Sequence, residues 1–156
     1  MYKSAAWPLS LVYAAIVVYA SLYPFVDWRD QGIAPWDFLA SPLPRYWTSF
    51  DVGINMVGYA PLGFLLALGA SRSGYVRPAS FAITAAAILA LIMEMLQSYL
   101  PARFPSNLDL GLNALGAAAG AMVCMALQRV GWINRWSHFR SDWLVTQPQD
   151  GLVLLA

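Results

Sequence analysis

The sequence has few charged residues and a single cysteine. Charged side chains make up 11% of its 156 residues and hydrophobic ones 60%, whereas ordinary soluble domains carry roughly 25% charged residues. This composition indicates a membrane protein. Because Cys124 is the sole cysteine, no disulfide can form within the chain. The net charge is only +1 and the basic residues are scattered, so nothing in the sequence predicts binding to nucleic acid.

Four apolar stretches are long enough to cross roughly 30 Å of hydrocarbon as helices. They cover residues 9–26, 52–70, 79–100 and 110–127. Glu94 is the one charged residue inside them. The first stretch is too long for the apolar core of a typical signal peptide, so we expect it to be retained. The pattern predicts an all-α, polytopic membrane protein with a four-helix transmembrane domain over residues 1–128.

The basic residues predict how this domain is oriented. Of the nine Lys and Arg residues, six fall on the side that holds both termini and three on the other side. Cytoplasmic loops carry the excess of Lys and Arg. We therefore predict a multi-pass membrane protein, in contact with membrane lipids, with both termini in the cytoplasm.

The tail, residues 129–156, has an aromatic pattern of its own. Trp132, Trp136, Phe139 and Trp143 recur at spacings of four, three and four, which places them on one helical face. This predicts an amphipathic helix on the cytoplasmic surface of the bilayer. A soluble tail that packs on the loops is the alternative. The final letters, GLVLLA, resemble the start of another apolar segment, so we expect the natural polypeptide to continue.

Two of the apolar stretches open with the same eight-residue pattern. Residues 51–58 read DVGINMVG and residues 109–116 read DLGLNALG, so Asp, Gly, Asn and Gly occupy the same four places. Helical spacing puts the polar and glycine positions of each copy on one face. These faces carry Asp51, Asn55 and Gly58 on the second helix, and Asp109, Asn113, Gly116 and Gly120 on the fourth. Gly116 and Gly120 form a GxxxG pattern that permits close helix packing, and we expect Gly58 to pack similarly.

The third helix adds Glu94 and Gln97 at the same end of the predicted bundle. Pro101 disfavours helical geometry at Leu100, which predicts that Glu94 lies roughly 9 Å below the helix end. An ionised carboxylate is costly there unless it meets a donor or a cation. Arg103, in the following loop, is the nearest cation in sequence. We expect a salt bridge or a hydrogen-bonded cluster.

These residues resemble the VanZ-like family of small bacterial membrane proteins. The resemblance covers about residues 50–120. It rests on the stretches NMVGYAPLGFLL, EMLQSYLPAR and DLGLNALGAAAG, read together. It implies a protein of the cell envelope with a part in antibiotic response, because members of the family are linked to resistance to teicoplanin and related glycopeptides.

The leading hypothesis is an outward-facing polar pocket that binds the head group of a lipid, a lipid-linked cell-wall precursor or a glycopeptide. Arg103 would grip a phosphate or carboxylate of that group. No cofactor is implied. The pocket would be built by Asp51, Asn55, Glu94, Gln97, Arg103, Asp109 and Asn113.

Other interpretations remain open. Glu94 could be the general acid or base of an intramembrane enzyme, or it could hold Mg²⁺ together with Asp51 and Asp109. Alternatively, the chain is a scaffold whose GxxxG pattern recruits a partner or a second copy. The acids would then be ordinary residues of helix N-termini, and the amides would hydrogen-bond between helices.

Overall fold

A computed structural model describes residues 5–133 and 135 of the chain, and over these residues it is helical with no β-strand. The elements are α1 (Ala6–Leu22), a short 3-10 helix (Asp37–Ala40), α2 (Ser49–Arg72), α3 (Pro78–Gln97) and α4 (Asn107–Arg129). The all-α prediction is therefore confirmed. Most of the predicted interfacial helix, including Trp136, Phe139 and Trp143, lies outside the described residues. The contacts reported below all belong to the compact unit Met1–Cys124.

Three of the helices, α2, α3 and α4, are long and apolar enough to cross a membrane. The first helix is shorter than predicted. It has 17 residues and ends at Leu22, not at residue 26, because Pro24 disfavours helical geometry at the preceding residue, Tyr23, whose ψ is 137°. Seventeen residues are at the lower end of what a crossing requires. The count of four membrane spans therefore remains a prediction.

Hydrogen bonds at the helix ends explain the other differences in boundaries. The side chain of Thr48 accepts a hydrogen bond from the Asp51 amide, and the Asp51 carboxylate accepts one from the Thr48 amide. This capping box starts α2 earlier than expected. At the start of α4, the Ser106 hydroxyl accepts hydrogen bonds from the amides of Leu108 and Asp109 at 3.2 and 3.4 Å. Ser106 is therefore the N-cap of α4.

The end of α3 requires a correction to the depth of Glu94. The helix ends at Gln97, because the amides of Tyr99 and Leu100 bond to carbonyls three residues back, which tightens the chain into a 3-10-type turn. Glu94 therefore lies about 4.5 Å, three residues, from the helix end. The prediction of roughly 9 Å was too deep.

Helices α2 and α4 approach each other along glycines. A Cβ atom on Gly116 would overlap the backbone of Met56, and one on Gly120 would overlap the backbone of Ala60. On α2, a Cβ on Gly63 would likewise overlap Ala117. These contacts permit the close backbone approach that small residues give to membrane helices. Gly58 differs, because a Cβ there would meet nothing within 4 Å.

Contacts at the two ends of α1 show that the helices alternate in direction. At one end, the Trp7 indole donates a hydrogen bond of 2.9 Å to the Ser73 hydroxyl just after α2, and its ring meets Phe81, near the start of α3, edge to face. At the other end, the Gln97 amide donates to the Ser21 carbonyl at 3.0 Å. The end of α1, the start of α2 and the end of α3 are thus at one end of the bundle, as the start of α4 is.

Candidate binding site

A cavity of about 680 Å³ opens at this end of the bundle. All seven residues that the sequence singled out line it: Asp51, Asn55, Glu94, Gln97, Arg103, Asp109 and Asn113. Its wall also includes apolar side chains from three helices, among them Ile16, Ile54 and Leu108. The structure therefore brings the predicted residues together around one space, but their individual contacts differ from those expected.

The first copy of the motif supplies an amide that bridges two helices. Asn55 of α2 donates a hydrogen bond of 2.9 Å to Oδ1 of Asp109 on α4. Asp109 is partly buried, so this bond replaces part of the hydration that the carboxylate loses. Asp51, in contrast, is exposed and accepts hydrogen bonds from the Thr48 amide and hydroxyl at 2.8 Å each. This helix-capping role agrees with the alternative in which the acids are ordinary residues of helix N-termini.

Glu94 is the most deeply buried carboxylate of the site, with only 3% of its surface exposed. Its Oε2 accepts a hydrogen bond of 2.8 Å from the backbone amide of Ser106. The same Ser106 caps α4 with its hydroxyl. Through Ser106, the carboxylate on α3 thereby fixes the position at which α4 begins.

Arg103 does not form the salt bridge with Glu94 that the sequence suggested. Its guanidinium donates to the Tyr23 carbonyl through Nε at 3.2 Å and Nη2 at 2.8 Å, and to the Ala20 carbonyl through Nη2 at 3.1 Å. The last carbonyls of a helix have no partner within the helix, and a cation is favoured there. Arg103 thus holds the end of α1 and does not present its full planar fork to the cavity.

Gln97 serves the same end of α1. Its amide nitrogen bonds to the Ser21 carbonyl and not to Glu94. Arg103 and Gln97 together fix α1 against the end of α3, so both residues position one wall of the cavity.

Asn113, in the second copy of the motif, is buried without a full set of partners. It is 5% exposed, and its Oδ1 is shielded from solvent and accepts no hydrogen bond from any described residue. A buried acceptor without a donor costs free energy, of the order of 1–3 kcal/mol. Such an atom on a cavity wall is an indication that a ligand or water supplies the donor.

Further polar residues outside the predicted set line the same cavity, among them Tyr13, Ser21, Tyr59 and Ser106. The Tyr13 hydroxyl donates to the Gly58 carbonyl at 3.1 Å. The Tyr59 hydroxyl is near Ser21 but makes no hydrogen bond of normal geometry with the described residues. Tyr59 directly follows the first motif copy and could have been recognised by that position, whereas α1 carries no polar pattern that would reveal Tyr13.

The three carboxylates do not form a metal site. Over the described residues, no three His, Cys, Asp or Glu side chains come together in a group that could hold a metal ion. Asp51 is engaged with Thr48, and Asp109 with Asn55. The arrangement therefore does not support the Mg²⁺ hypothesis for Asp51, Glu94 and Asp109.

Comparison with known proteins identifies the family. The family model described as VanZ/LLP1 matches residues 4–128, which is most of the chain. The match also includes α1, which the resemblance between residues 50 and 120 did not cover. No curated protein and no solved structure matches the chain. With its long apolar helices and this match, the chain belongs to the VanZ/LLP1 family and is a multi-pass membrane protein.

Proposed function

We propose that the cavity binds the polar head group of a membrane amphiphile: a lipid, a lipid-linked cell-wall precursor or a glycopeptide. One observation carries the proposal. Asn113, whose buried Oδ1 has no donor among the described residues, lines a space that six other polar residues of the predicted set also line. A site built for water alone has no need of so large a volume, because a water molecule takes up about 30 Å³ of the liquid.

The walls of the cavity fit an amphiphile in particular. Ile16 of α1 and Ile54 of α2 line it, and more than half of the surface of each side chain is exposed. In a bilayer these apolar side chains face the acyl chains, while Glu94 and Asn113 lie further inside. A ligand with its head among the polar groups and its tail along the isoleucines would satisfy both parts of the wall.

The proposed orientation places this cavity on the outer face of the cytoplasmic membrane of a bacterium. It rests on the excess of Lys and Arg at the opposite end of the bundle. Exposed aromatic residues support it, since Trp28, Trp36 and Trp47 all lie in the loop between α1 and α2, and tryptophan is enriched at membrane interfaces. Through its ligand, the protein would contribute to resistance to glycopeptides such as teicoplanin.

The experiment combines ligand binding with a cellular measurement. The full chain is purified in a mild detergent, and bound amphiphiles are identified by native mass spectrometry. Asn113→Leu replaces the polar side chain with an apolar one of similar size and should abolish the bound species. Cells that express this variant at the wild-type level of folded protein should also lose any difference in glycopeptide susceptibility that the wild-type chain confers.

Asn107→Ala is the matched control. Asn107 lies two residues before Asp109 but does not line the cavity, and its side chain donates to the Ser41 carbonyl. The variant should retain the bound amphiphile. If Asn113→Leu retained it as well, at normal occupancy, the cavity would not be the binding site.

The enzyme and scaffold hypotheses make different predictions for the same cells. An acid or base at Glu94 would make Glu94→Gln inactive while ligand binding survives. A scaffold would tolerate every change in the cavity that leaves the folded level unchanged.

A further inference from the structure

The hydrogen bonds around the cavity leave several acceptors without a donor, and they leave the Tyr59 hydroxyl without a partner among the described residues. Within the described residues, only Oε2 of Glu94 and only Oδ1 of Asp109 accept a hydrogen bond. One carboxylate oxygen of each residue therefore remains available. The buried Oδ1 of Asn113 is a third acceptor without a donor. All three belong to residues that line the same cavity.

The charges around the cavity are also unequal. Three carboxylates, those of Asp51, Glu94 and Asp109, line it against the single cation of Arg103. The Arg103 guanidinium donates through both Nε and Nη2 to carbonyls of α1, so part of its donor set is already engaged. Glu94 of α3 and Asp109 of α4 both line this cavity. A positive group between two carboxylates would relieve their repulsion.

From these two features we propose that the ligand of this cavity presents a primary ammonium group, which donates to Glu94, Asp109 and Asn113. An alkylammonium carries three N–H donors and no acceptor. That complement matches three unpaired acceptors, two of them carboxylate oxygens. A phosphate or a carboxylate would instead have to approach the carboxylates with like charge. This inference rests on the proposed binding function and names the chemistry of the head group.

Aromatic side chains at the mouth of the cavity fit the same ligand. Tyr46, Trp47 and Phe104 line it and are 94%, 60% and 85% exposed. Aromatic faces attract ammonium groups, and Trp and Tyr also favour the head-group level of a bilayer. The ammonium could belong to an aminophospholipid or to an amino sugar of an envelope glycolipid. The shared chemistry is an amine on an amphiphile.

The experiment compares probes that differ in this group alone. The purified full chain is titrated in detergent with phosphatidylethanolamine, phosphatidylcholine and phosphatidylglycerol of identical acyl chains, and with an alkyl glucosaminide and the matching alkyl glucoside. We expect each primary amine to bind at least about tenfold more tightly than its counterparts without N–H donors, since charge-assisted hydrogen bonds are strong. The tighter of the two amines identifies the source.

Variants test whether the amine binds at these residues. Asp109→Asn keeps an acceptor for Asn55, and Glu94→Gln keeps one for the Ser106 amide, so each removes charge with little change of shape. Each should reduce amine binding about tenfold or more and leave the binding of the neutral glucoside unchanged. Asp37→Asn is the control, because Asp37 is exposed in the loop between α1 and α2 and does not line the cavity.

The outcomes separate the two proposals. If phosphatidylglycerol or the glucoside bound as tightly as the amines, and Asn113→Leu abolished that binding, the cavity would be a head-group site and the ammonium inference would be wrong. If no probe showed binding that depends on Asn113, the proposed function itself would be wrong. Because the probe comparison uses the wild-type chain, it does not depend on whether a variant folds.

Discussion

The two copies of the Asp-x-Gly-x-Asn-x-x-Gly motif, residues 51–58 and 109–116, begin neighbouring helices but make different contacts. In the first copy, Asn55 is paired across the helix interface, and Gly58 faces open space. In the second copy, Asn113 has a buried oxygen without a donor, and Gly116 lies against the backbone of α2. The same residue types therefore serve different purposes.

The difference follows from what each copy faces. The second copy faces α2 and carries the tight glycine contacts, so α4 is fixed in its position along α2. This holds Asp109 where Asn55 can reach it. In the first copy the last glycine, Gly58, has open space where a Cβ would be, and its carbonyl accepts a hydrogen bond from Tyr13 of α1. A repeat in sequence thus indicates similar helix starts, but it does not predict similar partners.

The largest expected effect is on the free energy of unfolding, and it distinguishes Gly116 from Gly58, the last glycines of the two copies. In Gly116→Ala, the added Cβ would overlap the backbone of Met56, and the helices would have to move apart. We expect a loss of about 1–3 kcal/mol in the free energy of unfolding. Gly58→Ala has room for its Cβ and should stay within about 0.5 kcal/mol of wild type. Unfolding in mixed detergent and sodium dodecyl sulfate measures both.

The two glycine variants serve as each other's control, since both place alanine at the eighth residue of the motif. Equal losses of stability would contradict the packing of α2 on α4. A loss at Gly58 alone would reverse the comparison.

The sequence predicted the cavity residues better than their roles. Polar side chains in apolar helices are costly and therefore conspicuous, so six of the seven could be selected by residue type and helical spacing, and Arg103 as the nearest cation in sequence. Their partners depend on where α1 ends. Gln97 bonds to a carbonyl in the last turn of α1 and Arg103 to the carbonyl of Tyr23 just after it, and backbone acceptors leave no pattern in a sequence. For that reason the salt bridge between Arg103 and Glu94, one of the two arrangements expected, is absent among the described residues.

Helix boundaries were predictable where a side chain marks them. Pro78 stands at the start of α3, as expected of a residue that has no amide to leave unpaired. The ends of α1 and α3 were placed too late, because apolar residues continue past them while a proline two or four residues further on already turns the chain.

Gly63, which meets Ala117, was missed as a packing residue because it lies outside the repeated motif.

A smaller effect on the free energy of unfolding distinguishes Asn55 from Asn113. Asn55→Ala removes the donor to Asp109 and should cost about 0.6 kcal/mol, the average for a hydrogen bond between membrane helices. Asn113→Leu removes an acceptor that has no partner in the free protein, so the free energy of unfolding should stay equal or rise. Measured without ligand, the two changes should therefore differ in sign.

Adding the ligand should reverse the order of stability of the two variants. A bound ligand stabilises the folded protein, and Asn113→Leu should lose that gain, whereas Asn55→Ala should keep much of it. If Asn113→Leu were destabilised in the absence of ligand, its oxygen would have a partner after all, and the main observation behind the binding proposal would disappear.

The smallest effect is local and separates the two aspartates. Asp51→Ala removes the acceptor for the Thr48 amide and hydroxyl, so amides in the first turn of α2 should exchange hydrogen faster while global stability changes little. Asp109→Ala should leave exchange in the first turn of α4 unchanged, because the Ser106 hydroxyl caps that helix independently. Asp51→Glu should restore slow exchange, since glutamate also completes a capping box. Faster exchange in α4 but not in α2 would mean that the two aspartates have the opposite roles.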